Sequence, residues 1–291
     1  MLPKAANVAP IIRGDVVLNQ HANNPYAPPV AMVEDPCEQL AGDGTLIPGG
    51  RIVPAGHGAG WVGAGWRSFK QSPGAWISMT AVCFLISIVV SLLMSFVARF
   101  IPYFQILDFI FLIPLYGGVM IACDRQRTSG KLDAANLFGG LSQKVFALAI
   151  IGIVSGVLMW GGMFVIGKIF GFSFVGAQAT QKVAKFMSSG ALNMHTFFTM
   201  YAYTMAWSLV VYATTWYSPS LVIFHGVPVV RAMTMSFTAS LRNILPWLIY
   251  GIIMFILAMF ATLPILLGWL VLGPVMQASL YASYRDIFVQ E

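Results

Sequence analysis

Charge is what this sequence holds least of. Asp, Glu, Lys and Arg together make up 9% of its 291 residues, against 58% hydrophobic residues and a mean hydropathy of +0.79. A soluble domain carries roughly 25% charged residues, so apolar surface on this scale has to be covered by lipid. The composition predicts an all-α polytopic membrane protein. A transmembrane β-barrel is excluded, because its strands alternate apolar and polar residues. Here stretches such as 83–90 stay apolar across consecutive positions.

Cysteine is almost as scarce. Cys37, Cys83 and Cys123 form no C-x-x-C pair, and an odd count closes no disulfide framework. Cys83 lies in an apolar run and acts there as a small hydrophobe. His195 and His225 have no second ligand at helical spacing, and His21 and His57 stand in the N-terminal region. A zinc site takes three or four ligands, so no metal and no cofactor is expected.

Catalytic patterns are missing too. There is no G-x-S-x-G and no His–Asp pair to orient a base. No glycine loop runs into Lys-Ser/Thr, and the only close carboxylates, Glu34, Asp35 and Glu38, fall in the N-terminal tail. The reading is not an enzyme. The net charge of +6 fits basic residues at cytoplasmic helix ends. Nucleic-acid binding is set aside because no basic run is interleaved with stacking aromatics.

What the sequence does have falls into two parts. Residues 1–60 hold prolines at 3, 10, 25, 28, 29, 36, 48 and 54, with Gly42, Gly44, Gly49 and Gly50. That density of breakers predicts a mostly disordered cytoplasmic tail. No basic region leads into an apolar h-region, so no signal peptide is expected. Within the tail, Asn24, Tyr26 and Pro29 belong to an Asn-Pro-Tyr-Ala-Pro-Pro island that could dock in an aromatic-lined groove of a protein partner, or be a turn in a linker.

Residues 61–288 predict a six-helix transmembrane domain. The spans run from about Trp76 to Val97, Tyr103 to Cys123, Val145 to Ile166, Thr196 to Tyr217, Ile244 to Leu263 and Ile265 to Tyr284. Amphipathic stretches precede them, and another is expected on the membrane over residues 171–193. Trp66, Arg67, Lys70, Trp76, Arg125, Lys144, Arg242, Trp247 and Arg285 are the expected interfacial anchors, with rings at headgroup level and cationic heads in water.

Basic residues set the orientation. With both termini cytoplasmic, Arg67, Lys70, Arg125, Arg127, Lys131, Lys144, Arg231, Arg242 and Arg285 lie inside, and Arg99, Lys168, Lys182 and Lys185 outside. That balance obeys the positive-inside rule. An internal repeat also shows: Pro114 to Arg125 and Pro274 to Arg285 span the same interval, each after an apolar hairpin with a basic–aromatic entry. Three such hairpins, each with a cytoplasmic amphipathic lead-in, form a parallel repeat. The middle copy is the loosest.

The Trp66-Arg67-x-Phe69 opening with Pro73 and Trp76, the Leu241-Arg242-Asn243-x-x-Pro246 entry and the tail from Ala278 to Phe288 resemble a proteobacterial (Burkholderia-type) family of inner-membrane proteins. The resemblance covers about residues 53–288. It implies six helices in the bacterial inner membrane and no assigned activity. The hairpin pattern is also similar to membrane domains attached to some glycerophosphodiester phosphodiesterases, but the soluble catalytic domain is not present in this sequence.

Intramembrane polar groups remain. Asp108 stands inside a predicted span and reads as a proton or cation site, or as a partner for Arg99 across the Pro102 turn. Gln105 and Gln277 are the other candidates. Two functions follow: a non-catalytic membrane protein that organises lipids or partner proteins, or a small-solute or lipid transporter or channel.

Overall fold

Pro73 opens the first long helix, at a position where its missing N–H would have no partner in any case. The computed structural model describes residues 44–98, 100–101, 104–142, 144–171, 181, 185, 188, 193–263 and 267–290. The expected features at Asn24, Tyr26, Pro29, Arg99, Pro102 and Lys182 lie outside the described residues, as do the Gln105 side chain and most of 171–193.

Among the described residues the long elements are all helices. They are α1 (His57–Gln71), α2 (Pro73–Val97), α3 (Asp108–Ser129), α4 (Gly139–Ser142), α5 (Val145–Ile169), α6 (Met194–Thr215), α7 (Ser218–His225), α8 (Val229–Arg242), α9 (Ile244–Thr262) and α10 (Trp269–Phe288). One small antiparallel sheet joins β1 (Thr45–Leu46) to β2 (Val289–Gln290), with Thr45 opposite Gln290. The tail expected to run loose as far as residue 60 is therefore held from its strand onward. Backbone bonds from Ile47 to Phe288 and from Arg51 to Ile287 continue the pairing.

Three helices, α2, α5 and α9, are long and apolar enough to cross a membrane. Six were expected. The difference has a physical cause in the central helices. α3 carries Asp108, Asp124, Arg125 and Arg127, and from Ile113 to Asp124 it is buried almost without interruption. A helix wrapped by protein needs no continuous apolar surface for lipid. α10 is likewise rich in buried Ser, Ala and Tyr between Pro274 and Phe288. By contrast α2, α5, α6 and α9 turn large apolar side chains outward, among them Phe84, Leu92, Val157, Leu209, Phe255 and Met259.

The short helices enter by a shared geometry. α1 meets α2 at Ser72, α8 meets α9 at Asn243, and Lys144 in the left-handed region (φ 50°) directs the chain into α5. The second and third lead-ins pack on the helix before them, the turn at Ala134–Phe138 with α4 on α3 and α8 on α6 and α7, and the first lead-in, α1, packs on the last helix, α10. Small residues make these contacts possible. Gly65 abuts the Val275 carbonyl and Ser279 amide, Gly140 the Pro114 carbonyl and Gly118 amide. Ser236 donates to the Ala213 carbonyl and accepts from the Tyr217 amide. All three contacts fall on a carbonyl and the amide four residues later.

Candidate functional site

Asp286, in the last turn of α10, collects three donors. Arg51 Nη2 and Trp61 Nε1 each lie 2.8 Å from its oxygens, and His57 Nδ1 lies 2.7 Å away. Burial opposes its ionisation, but the bonds from His57, Trp61 and Arg51 outweigh that effect and hold the carboxyl below its ordinary value. Asn243 holds the same N-terminal strap, residues 44–57. It accepts from the Val53 amide and donates to the Arg51 and Ala239 carbonyls.

A second carboxylate stands behind the opposite wall. Asp124 is buried, accepts the Tyr281 hydroxyl at 2.5 Å, and has Arg127 at 3.6 Å. Two residues on, Gln126 receives the Ser68 hydroxyl and the Trp76 indole N–H on one oxygen and donates to the Ser68 carbonyl. Tyr284 reaches His225 Nε2 at 2.7 Å, where burial holds the imidazole below its ordinary pKa and so available as an acceptor.

Between the walls opens a cleft of about 860 Å³. Arg51, Arg67, Arg127 and Arg285 face it, with Asp286 as the carboxylate at its edge, and Ser68, Gln71, Gln126 and Tyr281 supply neutral polar groups. Its floor is built from the small side chains Cys123, Ala278 and Ala282. Among the described residues four guanidiniums and one carboxylate line the cleft, and Arg51 and Arg127 are each held by a carboxylate, Asp286 and Asp124. Its volume falls within the usual range for small-ligand sites, about 300–1,000 Å³.

Of the expected anchors, Trp66 is 44% exposed and stacks on Phe69, while Arg67, Lys70 and Arg242 are exposed. Arg125 is tied to Asn136, and Lys144 shapes the entry to α5. Two tryptophans differ from expectation. Trp76 is fully buried as the donor to Gln126, and Trp247 is half-buried, stacked on Trp216 at 4.2 Å. Both indoles pack between helices.

The polar candidates do not converge. Asp108 begins α3 and Gln277 lies near the middle of α10, each with a buried oxygen that has no partner among the described residues. The Tyr281–Asp124 bond fixes the relative height of these helices. At 1.5 Å rise per residue, Asp108 and Gln277 differ in depth by about 18 Å.

The cleft itself was not visible in the sequence as a site. Arg51 falls within the stretch expected to be loose, and the carboxylate that holds its side chain, Asp286, lies 235 positions away. The matched Pro114–Arg125 and Pro274–Arg285 intervals were the one available signal that those helix ends share a level. Among the described residues no group of His, Cys, Asp and Glu is arranged to hold a metal. Comparison with family models, curated proteins and solved structures returns no match for this chain.

Proposed function

We propose that the chain is a non-catalytic polytopic protein of the bacterial inner membrane that organises lipids against its cytoplasmic face. In this reading it crosses six times as three parallel hairpins, each with an amphipathic lead-in, and both termini are cytoplasmic. The observation that carries the proposal is the placement of basic residues. The expected inner anchors Arg67, Lys70, Arg125, Lys144, Arg242 and Arg285 fall at one end of the bundle, joined there by Arg51, Arg127, Lys131 and Arg231. Lys168 closes α5 at the other end, and Lys185 lies in the connection after it. Such a distribution favours the cytoplasmic side for the basic end and draws anionic lipid to it.

The interior supports a structural role over conduction. Trp76, Met79, Met120, Ile121, Leu148 and Ile151 are fully buried and fill the space between the helices. Two measurements test the reading. A chain freed of its native cysteines and carrying Lys168→Cys should react with an impermeant maleimide on intact spheroplasts, and one carrying Lys131→Cys only after permeabilisation. The reverse pattern refutes the orientation. Lipid extracted with the protein in polymer discs should be enriched in anionic species over the bulk membrane, and a bulk composition refutes the lipid-organising role.

A further inference from the structure

We propose that the arginine-lined cleft is a discrete binding site for a phosphate ester, either the headgroup of an anionic phospholipid or a soluble organic phosphate. The proposal rests on the membrane reading above only for the lipid source of that group. Its chemical basis is independent. Arg51, Arg67, Arg127 and Arg285 come from four different parts of the chain and line one cavity. Guanidinium is the side chain best shaped to hold phosphate oxygens in paired, charge-assisted hydrogen bonds.

The acidic groups nearby do not make it a cation site. Asp286 has its oxygens engaged by Arg51, His57 and Trp61, and Asp124 is engaged by the Tyr281 hydroxyl and by Arg127. These carboxylates position the arginines. Asp286 fixes Arg51 at the rim, and Asp124 with Tyr281 supports Arg127 in the wall. Ser68 and Gln71 on α1 add uncharged groups of the kind that meet glycerol or sugar hydroxyls.

The setting favours a lipid headgroup as the occupant. Beside the cleft, α1 carries Trp66, whose exposed ring stacks on Phe69 and neighbours Arg67 in sequence. An indole at that position marks the headgroup level of a bilayer. A phosphodiester seated in the cleft can therefore keep its acyl chains in the membrane. A soluble phosphate ester would reach the same guanidiniums from the aqueous side.

The test uses the full chain in phosphatidylcholine nanodiscs, with and without phosphatidylglycerol. Native mass spectrometry counts retained lipid, and thermal melting is followed against glycerol 3-phosphate and inorganic phosphate. Arg67→Gln lies on an exposed position of α1 and keeps the fold. Arg285→Gln changes a second wall, and Lys70→Gln serves as a control outside the cleft. One phosphatidylglycerol molecule should be retained by the wild type and by Lys70→Gln. Its affinity should fall about tenfold in each arginine variant.

Saturable stabilisation by glycerol 3-phosphate, lost in the arginine variants and without selective lipid retention, assigns the site to a soluble ester. Equal retention in all four proteins, together with no stabilisation by either phosphate, overturns the proposal. Anionic lipid that is enriched around the protein but indifferent to Arg67 and Arg285 also overturns it. That last result leaves the lipid-organising role standing, so the two readings fail separately.

Discussion

Gly65 on α1 lies against Val275 on α10 so closely that a Cβ on the glycine would stand 2.5 Å from the valine carbonyl oxygen. The contact seats the first lead-in on the last helix, and with it one wall of the cleft. Gly65→Ala must therefore push α1 outward, at a cost of about 1–3 kcal/mol. Gly60, on the same helix, faces open space. Gly60→Ala should be neutral or stabilise by up to about 1 kcal/mol through helix propensity. Thermal unfolding of both variants in one detergent checks the pair, and equal melting temperatures would remove the close approach as the cause.

Tyr281→Phe probes the opposite wall. The change keeps the ring and deletes the donor to buried Asp124, leaving Arg127 at 3.6 Å as its remaining described partner. A hydrogen bond to a charged group contributes about 1.5–3 kcal/mol. Destabilisation of that size is expected, and Tyr281→Phe with Asp124→Asn together should cost less than the sum of the single changes. Strict additivity in this double-mutant cycle would show that the two groups act separately.

The strap should come loose in acid. Asp286 has a folded-state pKa below the ordinary 3.8. A depressed carboxylate contributes stability that is fully present above its unfolded-state value and is lost as pH falls through the folded-state value. Hydrogen-exchange protection at residues 44–57, taken relative to the intrinsic rate at each pH, should therefore be high at neutral pH and fall below about pH 4. Asp286→Asn should lower it at pH 7 as well, and flatten the dependence. A variant that keeps the wild-type acid transition would place the switch on another group.

How far these features were legible from the chain follows from their range. α2, α5 and α9 were readable because each is a continuous apolar run bounded by local signals such as Pro73 and Asn243. Pro73 stands in the first turn as its chemistry requires. α3 was legible as a helix but not as the buried centre, because burial on every side depends on neighbours contributed by later segments. Trp76 shows the same limit: an indole beside a basic stretch suits a headgroup layer or an interhelical bond equally well, and only Gln126, fifty residues on, decides between them. The cleft depended on pairings such as Arg51 with Asp286, which no local pattern announces.

Ser236 offers the sharpest view of how the lead-ins are seated. Gly65 and Gly140 meet a carbonyl and the amide four residues later by having no side chain, whereas Ser236 fills the corresponding place with a hydroxyl. That difference follows from the helix beneath it. α6 ends at Thr215 and α7 starts at Ser218, so the Tyr217 amide at the junction needs an acceptor. Ser236 provides it at 3.2 Å while donating to the Ala213 carbonyl at 2.7 Å. Ser236→Ala keeps the Cβ and its fit but strips the bridge, and should cost about 1–3 kcal/mol because a buried amide loses its partner. Ser240 bonds the same carbonyl at a longer 3.4 Å and serves no amide there. Ser240→Ala should therefore cost less than Ser236→Ala in the same unfolding experiment. If the two losses are equal, the junction is held by packing of α8 as a whole, and the hydroxyl bridge is incidental to it.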